Sequence, residues 1–529
     1  MIRYPVSALG QYGILQDRKP HELPLNAWSA GNNVRFREDF VEKFQGHVEI
    51  FDPPSVAPYY LLPVVYGSNY YWLYAGLAKV YAWNGSSHTN ITRQTTGVDV
   101  DYNATADKNW VSCVLGGIPI LNNGVDSPQA WSPPTVATKL AELANWPANT
   151  ICGSLRAFKS FLVALDVTKS GTRYPHMVKW SHPAPLGAVP ASWDETDPTK
   201  DAGEWELKET NGAILDCLPL GDMNIIYKED ATHLMQFIGG TEIFKFSMLF
   251  ETIGALSRRC AALVKPGVHT VLTKDDIILH SGTEQSVSSL IESRVRRALF
   301  KDMSTSAAIR SFITVVRPRK EVWYCYCTPD ASIPNKALVW NMVSNTFTFR
   351  DLPNAAHIAS GVAYGGSEAW NSAVGNWDSD TTVWSEAAFG TTFLRSLIAG
   401  AVNTKLFMAD EGSNFNGTNM TATVERTGIG YPLKDGGPPD FAFRKFMTRL
   451  WPRIEGTLGG VVNVYVGSQD KVDGPVTYGS AMPFTIGDTV CLEPMVNAPL
   501  HALKFESTGD IEWRLHGYDV EVRQAGRSW

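Results

Sequence analysis

The side chains best spaced to do chemistry are the oxygen-bearing residues of Asp99-Val-Asp101-Tyr-Asn103-Ala-Thr-Ala-Asp107. Their alternation matches the opening of a calcium loop, in which oxygens two residues apart wrap one hard cation. The match fails where that geometry is strictest. Ala104 stands where the loop needs glycine for its sharp turn, and Trp110 stands where a bidentate glutamate would close the coordination shell. The stretch therefore reads as a polar connection between strands, as do Asp378 and Asp380 in the tryptophan-rich run from Trp370 to Trp384.

Sulfur offers a second candidate. The seven cysteines are odd in number and scattered, and only Cys325 and Cys327 lie close together, in Glu-Val-Trp-Tyr-Cys-Tyr-Cys. Strand alternation puts Trp323, Cys325 and Cys327 on one face and Val322, Tyr324 and Tyr326 on the other. Both faces read as buried, and no histidine or further cysteine is near enough in sequence to complete a metal site. The eleven histidines include no pair at ligand spacing. No phosphate-binding loop, zinc-protease helix, serine-hydrolase elbow or Ser-x-Asp-x-Gly-x-Thr-Trp turn of the sialidase kind occurs. The reading is a protein with no catalytic residues, no metal and no cofactor. A sugar-cleaving pair of carboxylates brought together from distant strands stays open, because the spacing that reaction needs is spatial.

Charge gives a third candidate. Arg258-Arg259, Arg294, Arg296-Arg297, Arg310, Arg317, Arg319 and Lys320 cluster in a chain of net charge −7. One reading is a solvated helix face with ion pairs, and the other is contact with phosphate or an acidic neighbouring subunit through Arg294, Arg296 and Arg297. The net charge disfavours a protein that coats nucleic acid by neutralising phosphates.

The elements that must position these residues are strands. The chain has 529 residues, 44% hydrophobic and 19% charged, with 17 Trp, 19 Tyr and 23 Phe, and 44 Gly and 31 Pro are spread along its length. That mixture favours many short strands joined by turns. Tyr70 to Gly85 reads as two β-rich runs broken at Gly76 and ending in the Asn84-Gly85 turn signal. Trp83, Trp131, Trp180, Trp340 and Trp384 each precede a small polar residue, with Phe237 and His280 as degenerate copies, and successive anchors are some 40 to 60 residues apart. A period of that size, with several strands in each, predicts a mainly β protein built on a β-propeller of six or seven blades. A short amphipathic helix is expected within Ser288–Phe300, carrying Ile291, Val295, Ala298 and Leu299. Asn33–Phe36 and Phe40–Phe44 form a hairpin-like pair, and Val461–Val466, Ala502–Glu506 and Glu512–Val522 suggest a closing β module. The expected division is an N-terminal β-rich segment over 1–58, the propeller over 59–400 and a C-terminal β-rich module over 401–529. No run is long and apolar enough for a membrane span, and Met1 to Gln16 lacks the pattern of a signal peptide.

The order of several short motifs carries a resemblance. These are Leu25-Asn-Ala-Trp28 leading to Asn33-Val-Arg-Phe36, Val41-Glu to Gly46, and Pro119-Ile-Leu-Asn-Asn-Gly-Val125 with Pro128-Gln-Ala-Trp131. Tyr174-Pro-His-Met-Val-Lys-Trp-Ser181, Ile226-Tyr-Lys228 with Gly239-Gly240, and Arg294-Val-Arg-Arg297 with Leu299-Phe300 continue it. Across nearly its whole length the chain resembles the tail nozzle, or tail hub, proteins of short-tailed bacteriophages, also known as packaged-DNA stabilisation proteins. That resemblance implies a structural virion protein assembled in the bacterial host cytoplasm, forming a homohexamer below the portal and the tail adaptor. It further implies a lumen through which double-stranded DNA passes without sequence-specific binding, and docking surfaces for tail fibres or spikes. A glycan- or receptor-binding propeller at the tail tip is the alternative class, and a propeller glycoside hydrolase the third.

Overall fold

Two-residue turns set the basic unit. Val111–Leu115 and Ile118–Asn122 pair antiparallel from Val111 opposite Asn122 to Leu115 opposite Ile118. Gly116 and Gly117 join them with φ of 56° and 89°, the positive values that a type I′ hairpin turn demands of both its central residues. In the computed structural model, which describes residues 2–363, 394–432, 437 and 439–527, this unit repeats into four-stranded antiparallel sheets. Six stand alone, and a further one forms the first four strands of a ten-stranded sheet.

Their innermost strands are Tyr60–Tyr66, Val111–Leu115, Thr150–Phe158, Ile214–Leu220, Ala261–Lys265, Phe312–Val316 and Ala355–Val362. From the second onward each lies beside the next, the seventh returns to lie beside the first, and Tyr60 of the first reaches Ser112 of the second. This is a seven-bladed β-propeller. Burial follows the seams between blades: Tyr71, Leu73, Leu121 and Trp131 form one core between the first two, and Leu155, Leu162, Ile118 and Ile120 form another between the second and third. A sheet with both faces covered needs apolar residues on both, which is why the central strands read as continuous hydrophobic runs. Glu321–Tyr326 is buried at every residue, with Trp323 and Cys325 on one core and Val322, Tyr324 and Tyr326 on another, as the alternation predicted.

The seventh blade takes Ala355–Val362, Leu394–Gly400 and Lys405–Ala409 from one side of the chain and its outermost strand, His47–Glu49, from the other. The expected boundaries at 58 and 400 are therefore displaced. A ring needs its last sheet completed by chain from before its first, and sequence patterning inside a segment carries no mark of that partnership. The same holds for the N-terminal segment as a whole. Ala30–Asn32 runs parallel to Thr346–Asp351 of the sixth blade and antiparallel to Ala422–Ile429, so the blade continues without a break into Leu500–Ser507 and Val461–Gln469. Val34–Phe36 and Val41–Lys43 form the expected hairpin and join a second sheet with Trp513–Arg527, Phe443–Gly456 and Val496–Ala498, on which Ile2–Val6 also pairs. The two sheets share one core, with Val34, Phe36, Val424, Val464, Phe505, Trp513 and Val520 fully or nearly fully buried.

The expected helix is shorter and later than its sequence signal. Ser288–Ser289 is the outermost strand of the fifth blade, pairing with Leu279 and Ile278, and the helix spans Arg296–Asp302 with Val295 at its N-cap. Completing a sheet edge outweighed the capping propensity of serine. Ile291, Val295 and Leu299 are buried all the same. Among the described residues no helix is long and apolar enough to cross a membrane.

Gly46 sits where the closing strand begins. Its N–H donates to the carbonyl of Gly412 at 2.8 Å, its carbonyl accepts from Asp410 at 3.0 Å, and a Cβ there would lie 1.6 Å from the carbonyl oxygen of Asn414. Gly46→Ala must push two backbones apart. We expect it to lower unfolding free energy by about 3 kcal/mol or more, read as a fall in the calorimetric midpoint; an unchanged midpoint would refute the packing argument.

Candidate functional site

The aromatic anchors fall at one place in the blade. Trp83 and Trp180 end the third strands of the first and third blades, Trp131 directly follows that of the second, and Trp340 lies within that of the sixth. Phe237 and His280 end the third strands of the fourth and fifth. Trp384 lies outside the described residues, and the seventh blade's third strand is Lys405–Ala409. Each indole ties that strand to something beyond it. Trp131 Nε1 donates to the carbonyl of Thr138 at 3.0 Å while its ring packs edge-on against Tyr71 of the preceding blade. Trp180 Nε1 donates to the carbonyl of Asp201 at 2.8 Å, and its ring meets Phe244 of the next blade. Trp83 stacks on Phe51 at 5.1 Å, and Trp340 Nε1 donates to Asn345 at 3.0 Å.

The arginines singled out by sequence do not share one face. Arg296 Nε donates to the carbonyl of Asp275 at 2.8 Å, and its guanidinium pairs with the Asp275 carboxylate. The backbone N–H of Arg297 donates to Asp17. Arg294 alone opens onto a cavity, a groove of about 760 Å³ lined by Arg18, Lys265, Glu292, Arg294, Trp340 and Asn345 among others. Arg294 donates to the carbonyl of Asn345 at 2.5 Å and lies over the ring of Phe347. Burial, and then the like charge of Arg18, push its pKa down. Of the other candidates, Arg310 pairs with Asp107 at 2.7 Å, and Asp99 of the calcium-like stretch accepts from Asn90, Gln94 and Lys139.

The densest electrostatic constellation joins three parts of the chain, and sequence reasoning missed it. Arg35, on the N-terminal strand Val34–Phe36, donates from Nε to Glu321 at 2.5 Å and from Nη2 to Asp410 at 3.1 Å. Arg350 of the sixth blade donates from Nη1 to the other oxygen of Asp410 at 2.6 Å, and from Nη2 to the carbonyls of Gln45 and Gly46. Glu321 also accepts from the Trp323 indole at 3.1 Å. Phe44 packs against both guanidinium groups, and Trp323 lies under Arg350. All four charged side chains are buried. Desolvation opposes the charge on Arg35, but Glu321 and Asp410 outweigh it and raise its pKa. Desolvation likewise opposes ionisation of Asp410, and the surrounding guanidinium groups still hold its pKa well below the ordinary carboxylate range. With its charges balanced, the cluster is an internal joint, in which Arg350 Nε is buried without a hydrogen-bond partner. Sequence carried no signal of it, because alternation in Val34-Arg35-Phe36 sets the arginine opposite the two apolar residues, on the face that reads as solvated, and only the fold buries that face too.

A second buried polar network links the fourth and fifth blades. Tyr227 Oη lies 2.8 Å from His269 Nδ1 and 2.9 Å from His280 Nε2. His269 Nε2 faces the carbonyl of Pro219 at 3.0 Å, and His280 Nδ1 accepts from the N–H of Gly282. These partners assign one arrangement: both rings neutral with the proton on Nε2, and the phenol donating to His269 while accepting from His280. Burial holds both histidines at a pKa of about 4.

No protein-family model matches the chain, and no curated protein matches it by sequence. Solved structures do. BBS1N, solved in complex with ARL6DN, is similar at 10% identity over 69% of this chain and 96% of its own, with a TM-score of 0.37. PorZ, a surface component of the type-IX secretion system of Porphyromonas gingivalis, is similar at 10% identity over 87% and 57%, with a TM-score of 0.39. The extracellular domain of a putative one-component system from B. thetaiotaomicron is similar at 8% identity over 90% and 62%, with a TM-score of 0.41. The chain thus spans less than two thirds of the last two. Its own sheet order, and not these likenesses, makes it a β-propeller protein.

Removing one carboxylate from the joint leaves an unbalanced buried guanidinium. Glu321→Gln should cost about 3–5 kcal/mol in denaturant titration, whereas Arg173→Met, at an outer pair with Asp166 where the arginine is 59% exposed, should cost at most about 1 kcal/mol; equal losses would mean the joint is not special. The histidines set a pH dependence. Between their folded pKa of about 4 and the ordinary value of 6.5, the unfolded chain binds protons that the folded chain does not. Stability should therefore fall as pH drops through that window, with His501, at about 4, adding to the slope. Thermal melts should show a shallower fall for His269→Gln, and a wild-type midpoint that is flat from pH 6.5 to 4 would contradict the assignment.

Proposed function

We propose that the chain is a structural subunit of a short-tailed bacteriophage tail, a nozzle or hub protein acting by shape and contact and not by turnover. Six copies form a ring that continues the channel of portal and adaptor, retains packaged DNA, conducts it at ejection and carries fibres or spikes. The observation supporting this is where the residues behind the resemblance lie. Trp28 donates its indole N–H to the carbonyl of Leu9, and Asn33 binds Asp351 and the carbonyl of Thr421. Arg35 belongs to the buried joint, Gly46 to the ring closure, and Asn122 donates across blades to the carbonyl of Cys152. Tyr227 is the hub of the histidine network. In an enzyme or a ligand carrier, such likeness concentrates at a site. Here these residues lie at the joints of a scaffold, as suits a protein whose product is its own geometry. The continuous sheet from the sixth blade into the C-terminal module supports the same reading, because it offers a ring one stiff body per subunit.

A second reading has one observation in its favour. The groove bearing Arg18, Lys265, Arg294 and Trp340 combines cations with an aromatic wall, a lining suited to an acidic glycan. Antibody against the purified chain, imaged on virions by negative stain, should decorate the tail, and a reconstruction should place six copies below the adaptor. Label on the capsid or no label would sink the nozzle reading. Glycan-array binding lost in Arg294→Ala would favour the second.

A further inference from the structure

Among the described residues, the centre of the propeller holds more positive charge than its carboxylates balance. Asp216, on the fourth blade's innermost strand, accepts both arms of Arg156 from the third, at 2.7 and 2.6 Å, together with Ser154 Oγ at 3.0 Å and the N–H of Cys217 at 2.9 Å. Its one negative charge is thereby spent on Arg156. Arg258 satisfies itself on the carbonyls of Gly153 and Asp107. Arg259, leading into the fifth blade, has neither resource. Its backbone N–H reaches Asp216 at 3.3 Å and its guanidinium lies 5.4 Å from the Phe312 ring of the sixth blade. Among the described residues it forms no ion pair, and its Nη1 is buried without a hydrogen-bond partner.

The remaining blades complete the surroundings. His357 of the seventh accepts the N–H of Leu61 on Nδ1 at 3.3 Å, which leaves the proton on Nε2. Its ring stacks on Tyr60 of the first blade at 4.2 Å and flanks Phe312 at 5.8 Å. Tyr60 Oη meets Ser112 of the second, whose carbonyl takes the third donor of Arg156 at 2.9 Å. Burial, followed by the charges of Arg259 and Arg156, drives the His357 pKa far below its ordinary value, so the ring stays neutral and adds no cation but offers an N–H. Backbone strain marks the same spot, since Arg259 holds φ at +67°, a left-handed value uncommon for a side-chain-bearing residue. A guanidinium with a buried, unmet N–H beside a second guanidinium and a neutral imidazole N–H lacks one component, a negative charge.

We propose that the centre of the propeller binds a small inorganic anion of the phosphate class, held by the Arg259 guanidinium beside Arg156 and His357. The anion supplies the missing countercharge and links the fifth blade to the third and seventh, so its binding stabilises the closed ring. This does not rest on the tail-protein reading, and either can fail without the other.

The test uses the full chain, first dialysed into a phosphate-free buffer. Inorganic phosphate titrated at constant ionic strength should raise the thermal midpoint of the wild type by several degrees. Arg259→Met should abolish that response while melting, in phosphate-free buffer, no lower than the wild type, because it removes an unpaired charge. Arg259→Lys should retain part of the response. Crystals soaked in iodide should show an anomalous peak within contact of Arg259, a readout that stands even where Arg259→Met does not fold. An equal response to phosphate in wild type and Arg259→Met, or an anomalous map empty at Arg259, overturns the proposal.

Discussion

Two guanidinium groups and two carboxylates, sealed from water, hold this molecule in one piece. Arg35, Glu321, Arg350 and Asp410 come from the N-terminal hairpin, the sixth blade and the end of the seventh blade's third strand. Buried charges tolerate little misplacement, because any that loses its partner pays the full cost of desolvation. The quartet therefore acts as a gauge. The propeller closes, and the β module docks, only in the register that brings all four together. Phe44, Trp323 and the carbonyls of Gln45 and Gly46 fix the guanidinium groups from the remaining directions, and Gly46 itself leads into the strand that completes the ring.

The chain consequently behaves less as three domains in a row than as one body threaded twice. Its first fifty residues supply a strand to the seventh blade, a strand to the extended sixth-blade sheet and a hairpin to the second sheet of the module. Arg426, buried in that module, donates to the carbonyls of Pro20 and Leu23, so even the irregular stretch between these strands is tied down. Between the blades the work passes to apolar packing. Five seams have a core each, the fourth–fifth and fifth–sixth seams share theirs with the module, and an aromatic residue near the end of the third strand commonly crosses into the neighbouring blade. A propeller with stiff seams and a stiff attachment transmits force and presents fixed loops.

Buried polar groups mark the places where the blades are keyed to one another by direction as well as by area. The Tyr227 network accepts only one set of proton positions, and the Arg156–Asp216 pair allows only one orientation of the third blade against the fourth. Apolar seams alone would permit slippage between blades of similar shape, and such keys remove that freedom at the cost of desolvating their members.

Periodicity was enough to read the blades from the residues alone. Alternation in Glu321–Tyr326 foretold two buried faces, Asn84-Gly85 foretold a turn, and aromatic anchors some fifty residues apart marked six of the seven third strands. These are local consequences of strand geometry, since side chains alternate and tight turns need positive φ, and local rules leave local traces. The strand that closes the ring, the sheet that runs from the sixth blade into the module, and the partners of Arg35 and Arg259 were decided only in three dimensions. They join residues hundreds of positions apart, Arg35 to Glu321 and Asn32 to Phe349. A charge in a strand shows that it must be balanced, but its sequence neighbours carry no record of what the fold will set beside it.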